Sequence, residues 1–314
     1  MTDRIITVFG ATGAQGGGLT RAILAHPASG FAVRAVTRKP DSDAARALAK
    51  AGAEVVAADM DDAASVERAM RGAWGAYCVT NFWEHFSPEK ELAQAAAMAN
   101  GAASAGLQHV VWSTLEDTRN FFPPDGTRMP VLMGKYNVPH FDAKGEADAL
   151  FTTKVPTTRL YTSFYWDNLI HFGMGPKPGP DGVLAFTLPM ADRRLSGIAA
   201  EDIGKCAFGL FREGAPHIGQ SVGIAGEHLT GEEMATALAK ALGRPVRYNA
   251  VTPAQYRSFG FPGADDLGNM FQFYAEFESE FMRARPVEVA RRLNPDLQTF
   301  STFLARNKDR IPLG

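Results

Sequence analysis

The stretch Val8-Phe9-Gly10-Ala11-Thr12-Gly13-Ala14-Gln15-Gly16-Gly17-Gly18 decides the fold. An apolar run, Ile5-Ile6-Thr7-Val8-Phe9, precedes the glycines, and a helix-compatible segment from Leu19 to Ala25 follows them. Strand, glycine turn and helix together form the setting in which such a cluster binds a dinucleotide rather than merely turning the chain. The glycines have separable tasks. Gly10 lets the chain turn sharply off the strand, Gly13 lets the backbone approach a pyrophosphate, and Gly16 lets the helix pack close to the sheet. The helix N-terminus then offers free N–H groups and a partial positive charge to the phosphates. Gly10, Ala11, Thr12, Gly13, Ala14, Gln15 and Gly16 are therefore the first cofactor-binding candidates.

Outward from this turn, strands and helices alternate. Phe31–Thr37 reads as a second strand with a helix over about 42–51, and Glu54–Ala58 as a third with a helix over about 63–71. Ala73–Thr80 is expected as a fourth strand, followed by a long alanine-rich helix from Glu89 to Ala105, and Gln108–Ser113 as a fifth. That alternation indicates right-handed crossovers and a parallel sheet buried on both faces. The expected class is α/β: a Rossmann, doubly wound parallel sheet over residues 1–165, with a smaller α/β substrate or partner domain over 166–314. The 314 residues suffice for both.

Composition excludes several other classes. Hydrophobic residues make up 46% and charged residues 21%, with a net charge of −2, which gives no electrostatic footprint for nucleic acid or an anionic membrane. Cys78 and Cys206 make no disulfide framework, and no metal site is expected. No apolar run approaches the roughly 18 residues a membrane span needs. Met1-Thr2-Asp3-Arg4 leads straight into a strand, without room for a signal peptide, so the cytoplasm is the expected compartment.

Ligands of such sheets sit beyond the carboxyl ends of the strands. After the second strand stand Arg38 and Lys39, where an NAD site commonly has an acid. Guanidinium suits a ribose 2′-phosphate, so NADP(H) is the expected cofactor; the alternative is a solvated basic turn. After the third strand, Asp59 and Met60 are placed to meet the adenine, and Asp59 can equally cap the next helix. Thr80 and Asn81 follow the fourth strand, along the path of the nicotinamide ribose. After the sixth, Pro156–Tyr161, the residues Tyr161, Thr162, Ser163 and Phe164 complete the candidate cofactor contacts; the aromatic cluster there reads as either pocket or core.

The turn Val8–Gly18, Val79-Thr80-Asn81-Phe82-Trp83-Glu84, Val110-Val111-Trp112-Ser113-Thr114-Leu115-Glu116, His140-Phe141-Asp142-Ala143-Lys144-Gly145-Glu146 and Phe261-Pro262-Gly263-Ala264 together resemble the NmrA-like family, atypical short-chain dehydrogenases. The resemblance spans nearly the whole chain. It implies the Rossmann fold and NADP(H), and two functions: hydride-transferring reductases, and redox sensors not known as enzymes. In ordinary short-chain dehydrogenases a Ser and a Tyr-x-x-x-Lys form a proton relay. Here Ser113 and Lys144 occupy matching places and His140 replaces the Tyr. His140 and Lys144 lie four apart, on one helix face. In reductase relatives the Lys of this block is catalytic, so Lys144, His140 and Ser113 are the catalytic candidates. The alternative is that His140 only caps the helix and Lys144 only holds the ribose.

Between the fifth strand and that helix, residues 116–139 form a long, apolar-rich stretch expected to be a lid. Pro176–Gly182 is expected as a turn-rich connection, and Glu201–Phe211, Thr230–Leu242 and Ala264–Arg283 as helices. The expected partners are a small-molecule substrate or a regulatory protein, with no direct nucleic acid and no membrane, in a monomer or homodimer.

Overall fold

The computed structural model describes residues 4–313. Seven parallel strands form the central sheet: β1 (Arg4–Val8), β2 (Phe31–Thr37), β3 (Glu54–Ala57), β4 (Gly75–Cys78), β5 (His109–Thr114), β6 (Thr157–Tyr161) and, after an excursion described below, β11 (Ser221–Gly223). Their order is β11-β6-β5-β4-β1-β2-β3, so the strand order reverses between β1 and β4. A doubly wound sheet opens a crevice at that point. The intervening helices are α1 (Ala14–Leu24), α2 (Asp43–Lys50), α3 (Ala63–Met70), α4 (Pro88–Ser104) and α5 (Pro139–Thr152).

The central strands β4 and β5 are buried at every position because both faces are covered. Along β5, Val110 and Trp112 enter one core with Phe9, Met98 and Phe151, while Val111 enters the other with Val8, Leu19 and Phe211. Side chains alternate faces along a strand, so a half-exposed sheet could not use this sequence. Local chemistry starts the helices where expected. Ser42 and Ser87 accept from Ala45 and Lys90 backbone N–H groups, and α4 has Pro88 in its first turn. α1 begins at Ala14, ahead of the expected Leu19, with its glycines inside the helix.

The expected division at residue 165 is crossed by the chain. β7 (Phe164–Tyr165) leaves the central sheet and pairs with β10 (Arg194–Ile198), which also pairs β12 (Glu227–Thr230). Then α7 (Ala200–Glu213) returns to lie on α1, and β11 extends the central sheet beside β6. Contact between α1 and α7 is backbone to backbone. A methyl group on Gly18 would lie 2.5 Å from the Glu201 carbonyl, and one on Gly204 would lie 2.1 Å from the Leu19 nitrogen.

The smaller unit also holds α6 (Asn168–His171) and a third sheet of β8 (Lys177–Pro178), β9 (Leu184–Leu188) and β13 (Val246–Ala250). Pro176–Gly182, expected as a plain connection, is the start of the β8–β9 hairpin, closed by Gly179 N–H donating to Val183. Helix α8 (Gly231–Leu242) opens with a Thr230/Glu233 capping box and stops at left-handed Gly243, as its sequence predicts. Five further helices follow: α9 (Pro253–Arg257), α10 (Ala264–Glu276), α11 (Glu278–Arg283), α12 (Val287–Leu293) and α13 (Phe300–Asn307). The single helix expected over Ala264–Arg283 is thus two, broken at Phe277, whose ring stacks on Phe122. Among the described residues no helix is long and apolar enough to cross a membrane. Cys78 and Cys206 are buried and free.

Candidate active site

One large cavity, of about 1430 Å³, runs from the β1/β4 crevice to the smaller unit. It exceeds the roughly 300–1,000 Å³ of an ordinary single-ligand pocket, so a dinucleotide leaves room for a second ligand. Gly10, at φ +66°, turns the chain off β1, and Gly13 precedes α1 without any side-chain cap. No acid stands in the first turn of α1, which leaves its N–H groups open to an anion. A side chain at Gly16 would meet the Gly10 and Phe9 carbonyls at 2.5 and 2.6 Å. Gly10 and Gly16 therefore show the sharp turn and the close packing expected of them.

Most sequence-derived candidates meet at this cavity. Gly10, Thr12, Gly13, Ala14, Gln15 and Gly16 form its floor. Arg38, Lys39, Asp59 and Met60 line one end, and Thr80, Asn81, His140, Lys144, Thr162, Ser163 and Phe164 continue the wall. Three candidates do not line it. Ala11 is buried in the core behind the turn. Tyr161 turns its hydroxyl to Asp148, at 2.9 Å, because that buried carboxylate also gathers Trp112 and Thr114. Ser113 donates to Gln15 Oε1 at 2.8 Å. Gln15 also bonds the Tyr77 and Tyr165 hydroxyls, so Ser113 belongs to a polar cluster under the floor rather than to a relay with His140.

Asp59 does not cap α3. Its Oδ1 accepts from the Asp61 N–H, and Asp62 is the cap. Arg38 ion-pairs with Glu84 of the loop after β4, joining the two sides of the crevice.

The block from His140 to Glu146 shows why its residue types occur together. Lys144 Nζ lies 2.6 Å from Glu91 Oε1, 2.6 Å from Thr80 Oγ1 and 3.1 Å from the Thr80 carbonyl. An ammonium has three protons, and all three are engaged. Glu91 is fully buried in the first turn of α4. Burial pushes its carboxyl up, but the Lys144 charge, the contacts of Lys144 and Thr80 and the His85 ring 3.5 Å away outweigh it and hold the group down at about 2. His140 does not cap the helix. Its Nδ1 pairs with Asp266 of α10, whose other oxygen takes the His140 backbone N–H at 3.1 Å. The ring lies against Trp83, and its Nε2 has no protein partner among the described residues. A carboxylate on Nδ1 fixes the tautomer and aims Nε2 at the cavity.

The rest of the block fastens the preceding segment. Buried Asp142 accepts from Thr118 N–H and Oγ1, Asn137 N–H and Val138 N–H, at 2.5 to 3.0 Å. A methyl on Gly145 would lie 2.5 Å from the Asp117 nitrogen, and Glu146 bonds Arg119. From the other side, Asn269 donates to the Pro130 and Asn137 carbonyls and Gln272 to that of Arg128. Residues 116–139 contribute nothing to the cavity wall. The expected lid is corrected: Phe121 and Phe122 pack on Phe273 of α10 and on Phe277, where that helix ends.

Sequence reasoning missed Glu91, Asp266 and Arg285. Arg285 is fully buried, forks onto Glu116 at 2.6 and 2.8 Å, and donates Nε to the Thr162 carbonyl, which fixes the loop after β6. An acid in the alanine-rich helix and the Asp265-Asp266 pair after Pro262-Gly263 were the available signals.

Crystal structures of NmrA, a negative transcriptional regulator, in complex with NADP superpose with a TM-score of 0.77 at 21% identity, over 97% of this chain and 95% of that one. The Citrobacter sp. triphenylmethane reductase complexed with NADP(H) gives 0.74 at 18%, over 97% and 99%. These likenesses establish the fold. Among curated proteins, the NmrA-like family domain-containing oxidoreductase FrzB of Cladobotryum sp is 29% identical over 90% of this chain and 88% of its own. The oxidoreductase hkm9 of Aspergillus hancockii is 30% identical over 86% and 82%. The NmrA-like family model matches residues 2–304, and the chain belongs to the NmrA-like family.

Proposed function

We propose that this protein is an NADPH-dependent reductase of a small apolar or aromatic carbonyl, enone or quinone. The observation that carries the reading is His140, held by Asp266 with Nε2 free, beside a chamber walled by Phe141, Phe164, Tyr256, Phe261 and Tyr274. A bound NADPH supplies the hydride. The open N-terminus of α1 suits its pyrophosphate, and Arg38 and Lys39, without an acid after β2, suit a 2′-phosphate. Asp59 and Met60 suit the adenine end; Thr80, Asn81, Thr162 and Ser163 suit the ribose and nicotinamide end. Structural neighbours solved with NADP, and in the case of NmrA also with NAD, support a nicotinamide dinucleotide here.

With Asp266 paired to Nδ1, His140 as the imidazolium gives its Nε2 proton to the substrate oxygen and is left as the neutral Nδ1–H ring. Lys144, with its protons taken up by Glu91 and Thr80, acts as a fixed positive charge beside the reacting centre rather than as the donor. Ser113 keeps Gln15 in place.

A screen of quinones, enones and aromatic aldehydes by NADPH oxidation tests the reading. His140→Asn is expected to lower kcat by about 10²–10⁴-fold, as for an acid–base residue. NADPH affinity should change little, and Lys144→Ala should lower kcat as well. Turnover that survives His140→Asn overturns the assignment. A second reading, a non-catalytic NADPH/NADP redox sensor acting on a regulatory protein partner, draws on the full engagement of Lys144. It also draws on the likeness to a negative transcriptional regulator. Tight NADPH binding with no oxidation of any screened substrate would favour it.

A further inference from the structure

Helix α10 has two working faces. Asn269, Gln272 and Glu276 hold the segment before α5, while Leu267, Met270 and Tyr274, spaced three and four apart, line the cavity. Tyr256 of α9 lines the same wall, across Phe271 from Tyr274. Both tyrosines are nearly buried, 3% exposed for Tyr274 and 5% for Tyr256. Neither hydroxyl has a protein partner among the described residues, and neither is sealed from the cavity space.

Of the other five tyrosines, four have partnered hydroxyls, and Tyr136 has no hydroxyl hydrogen bond among the described residues. Tyr77 donates to Gln15, Tyr161 to Asp148 and Tyr248 to the Leu188 carbonyl, while Tyr165 accepts from Gln15. Tyr136 lies outside the cavity, its ring under Arg119 and Lys135. A buried tyrosine hydroxyl normally finds a partner, because leaving one bare costs about 1–3 kcal/mol. Phenylalanine would fill the same space on this aromatic wall without that cost, as Phe141, Phe164 and Phe271 do. Both hydroxyls are thus polar groups open to the cavity with no protein partner among the described residues. His140 Nε2 already serves one ligand oxygen on the α5 side of the chamber.

We infer that Tyr256 and Tyr274 are specificity-determining residues that hold a second oxygen of the substrate. The site then takes flat aromatic ring systems carrying two oxygen functions, one facing His140 and one bonded by the tyrosine hydroxyls. This rests on reading the chamber as the substrate site of a reductase. A site built to bond a substrate oxygen rejects analogues lacking it more strongly than a purely apolar pocket could. Simple aromatic aldehydes and monoketones are accordingly poor ligands.

Two probes of one ring skeleton test this: 1,4-naphthoquinone, with two oxygens, and 1-tetralone, with one. Binding is measured by calorimetry to the full chain saturated with NADP⁺. Probes and cofactor are then all oxidised, and no turnover is needed. The wild type should bind 1,4-naphthoquinone at least about tenfold more tightly, which is about 1.4 kcal/mol. In Tyr256→Phe/Tyr274→Phe the ratio should fall towards one, through loss of affinity for the quinone alone. Thermal stability and NADPH affinity of the variant serve as the control for folding. An unchanged ratio in the double variant overturns the inference, as does a wild type that binds neither probe or both equally. NADPH oxidation with 1,4-naphthoquinone is followed in parallel. Turnover without the tyrosine-dependent ratio leaves the reductase standing and removes this inference; the ratio without turnover does the reverse.

Discussion

Two connections leave the central sheet on the same side, and they behave in opposite ways. The long one, residues 116–138, is fastened along its length by Asp142, Glu146, Asn269 and Gln272, and touches no part of the cavity. The short one, residues 81–87, gives Asn81, Phe82, Trp83, Glu84 and Phe86 to the cavity wall. Phe86 stands at φ +52° and is 40% exposed, a conformation that bulky residues rarely adopt and that costs of order 1–3 kcal/mol. Opposite it, Phe259 and Phe261 are exposed at the same mouth, and a side chain on Gly263 would strike Trp83 at 2.9 Å. Length therefore did not make a lid. Whether buried polar groups hold the backbone decides which connection can move.

The sharpest way to break this comparison is to cut the fastening of the long connection. Asp142→Ala leaves three backbone N–H groups and the Thr118 hydroxyl without their acceptor. At about 1–3 kcal/mol for an unsatisfied buried donor, and with water reaching some of them, a loss of roughly 3 kcal/mol is expected in a urea titration. Trypsin should then cut after Arg119, Arg128 or Lys135 faster than in the wild type, where the backbone there is fastened. Unchanged protection would mean that the hydrogen bonds of Asp142 are not what holds the segment.

The short connection leads into α4, and Glu91 tests its anchoring by pH. The Glu91 carboxyl titrates near 2 in the folded chain, below its ordinary 4.5. A group depressed on folding stabilises fully above its unfolded value and loses that contribution as pH falls through the folded one. The wild type should thus lose, between about pH 4.5 and 2, on the order of 2 kcal/mol that Glu91→Gln does not lose. Parallel acid titrations of the two proteins would refute the network.

The smallest effect expected is at the Arg38–Glu84 pair, which tethers the short connection across the crevice. Arg38→Asp should reverse or abolish a preference for NADPH over NADH of at least about tenfold, or 1.4 kcal/mol. Glu84→Gln, which frees Arg38, should tighten NADPH by a few-fold at most, since exposed ion pairs are worth under about 1 kcal/mol. Calorimetric titrations giving equal affinities for both cofactors in the wild type would remove the assigned role of Arg38.

The sequence by itself determined the cofactor half. Gly10, Gly13 and Gly16 are constrained by backbone geometry within a few residues, and strands buried on both faces announce themselves as apolar runs. The places of Arg38, Asp59 and Thr80 follow from chain order, because every parallel strand ends on the same edge. The family blocks likewise placed Lys144 and His140 at the cavity. What only the tertiary structure decided is what those two side chains touch. Glu91 and Asp266 lie far from them in sequence and are ordinary acids in helical stretches, with no local pattern to mark them as partners. The same holds for α7 on α1, where the second glycine, Gly204, lies in a segment that gives no hint of its contact. Residues 116–139 misled for the same reason. An apolar loop reads alike whether it closes over a ligand or is bonded to a neighbouring helix, and buried Asp142 with Glu146, Asn269 and Gln272 made the difference. Hydrogen bonds to buried charges are strong, short-ranged and indifferent to sequence distance, so their pairing is settled only when the chain has folded.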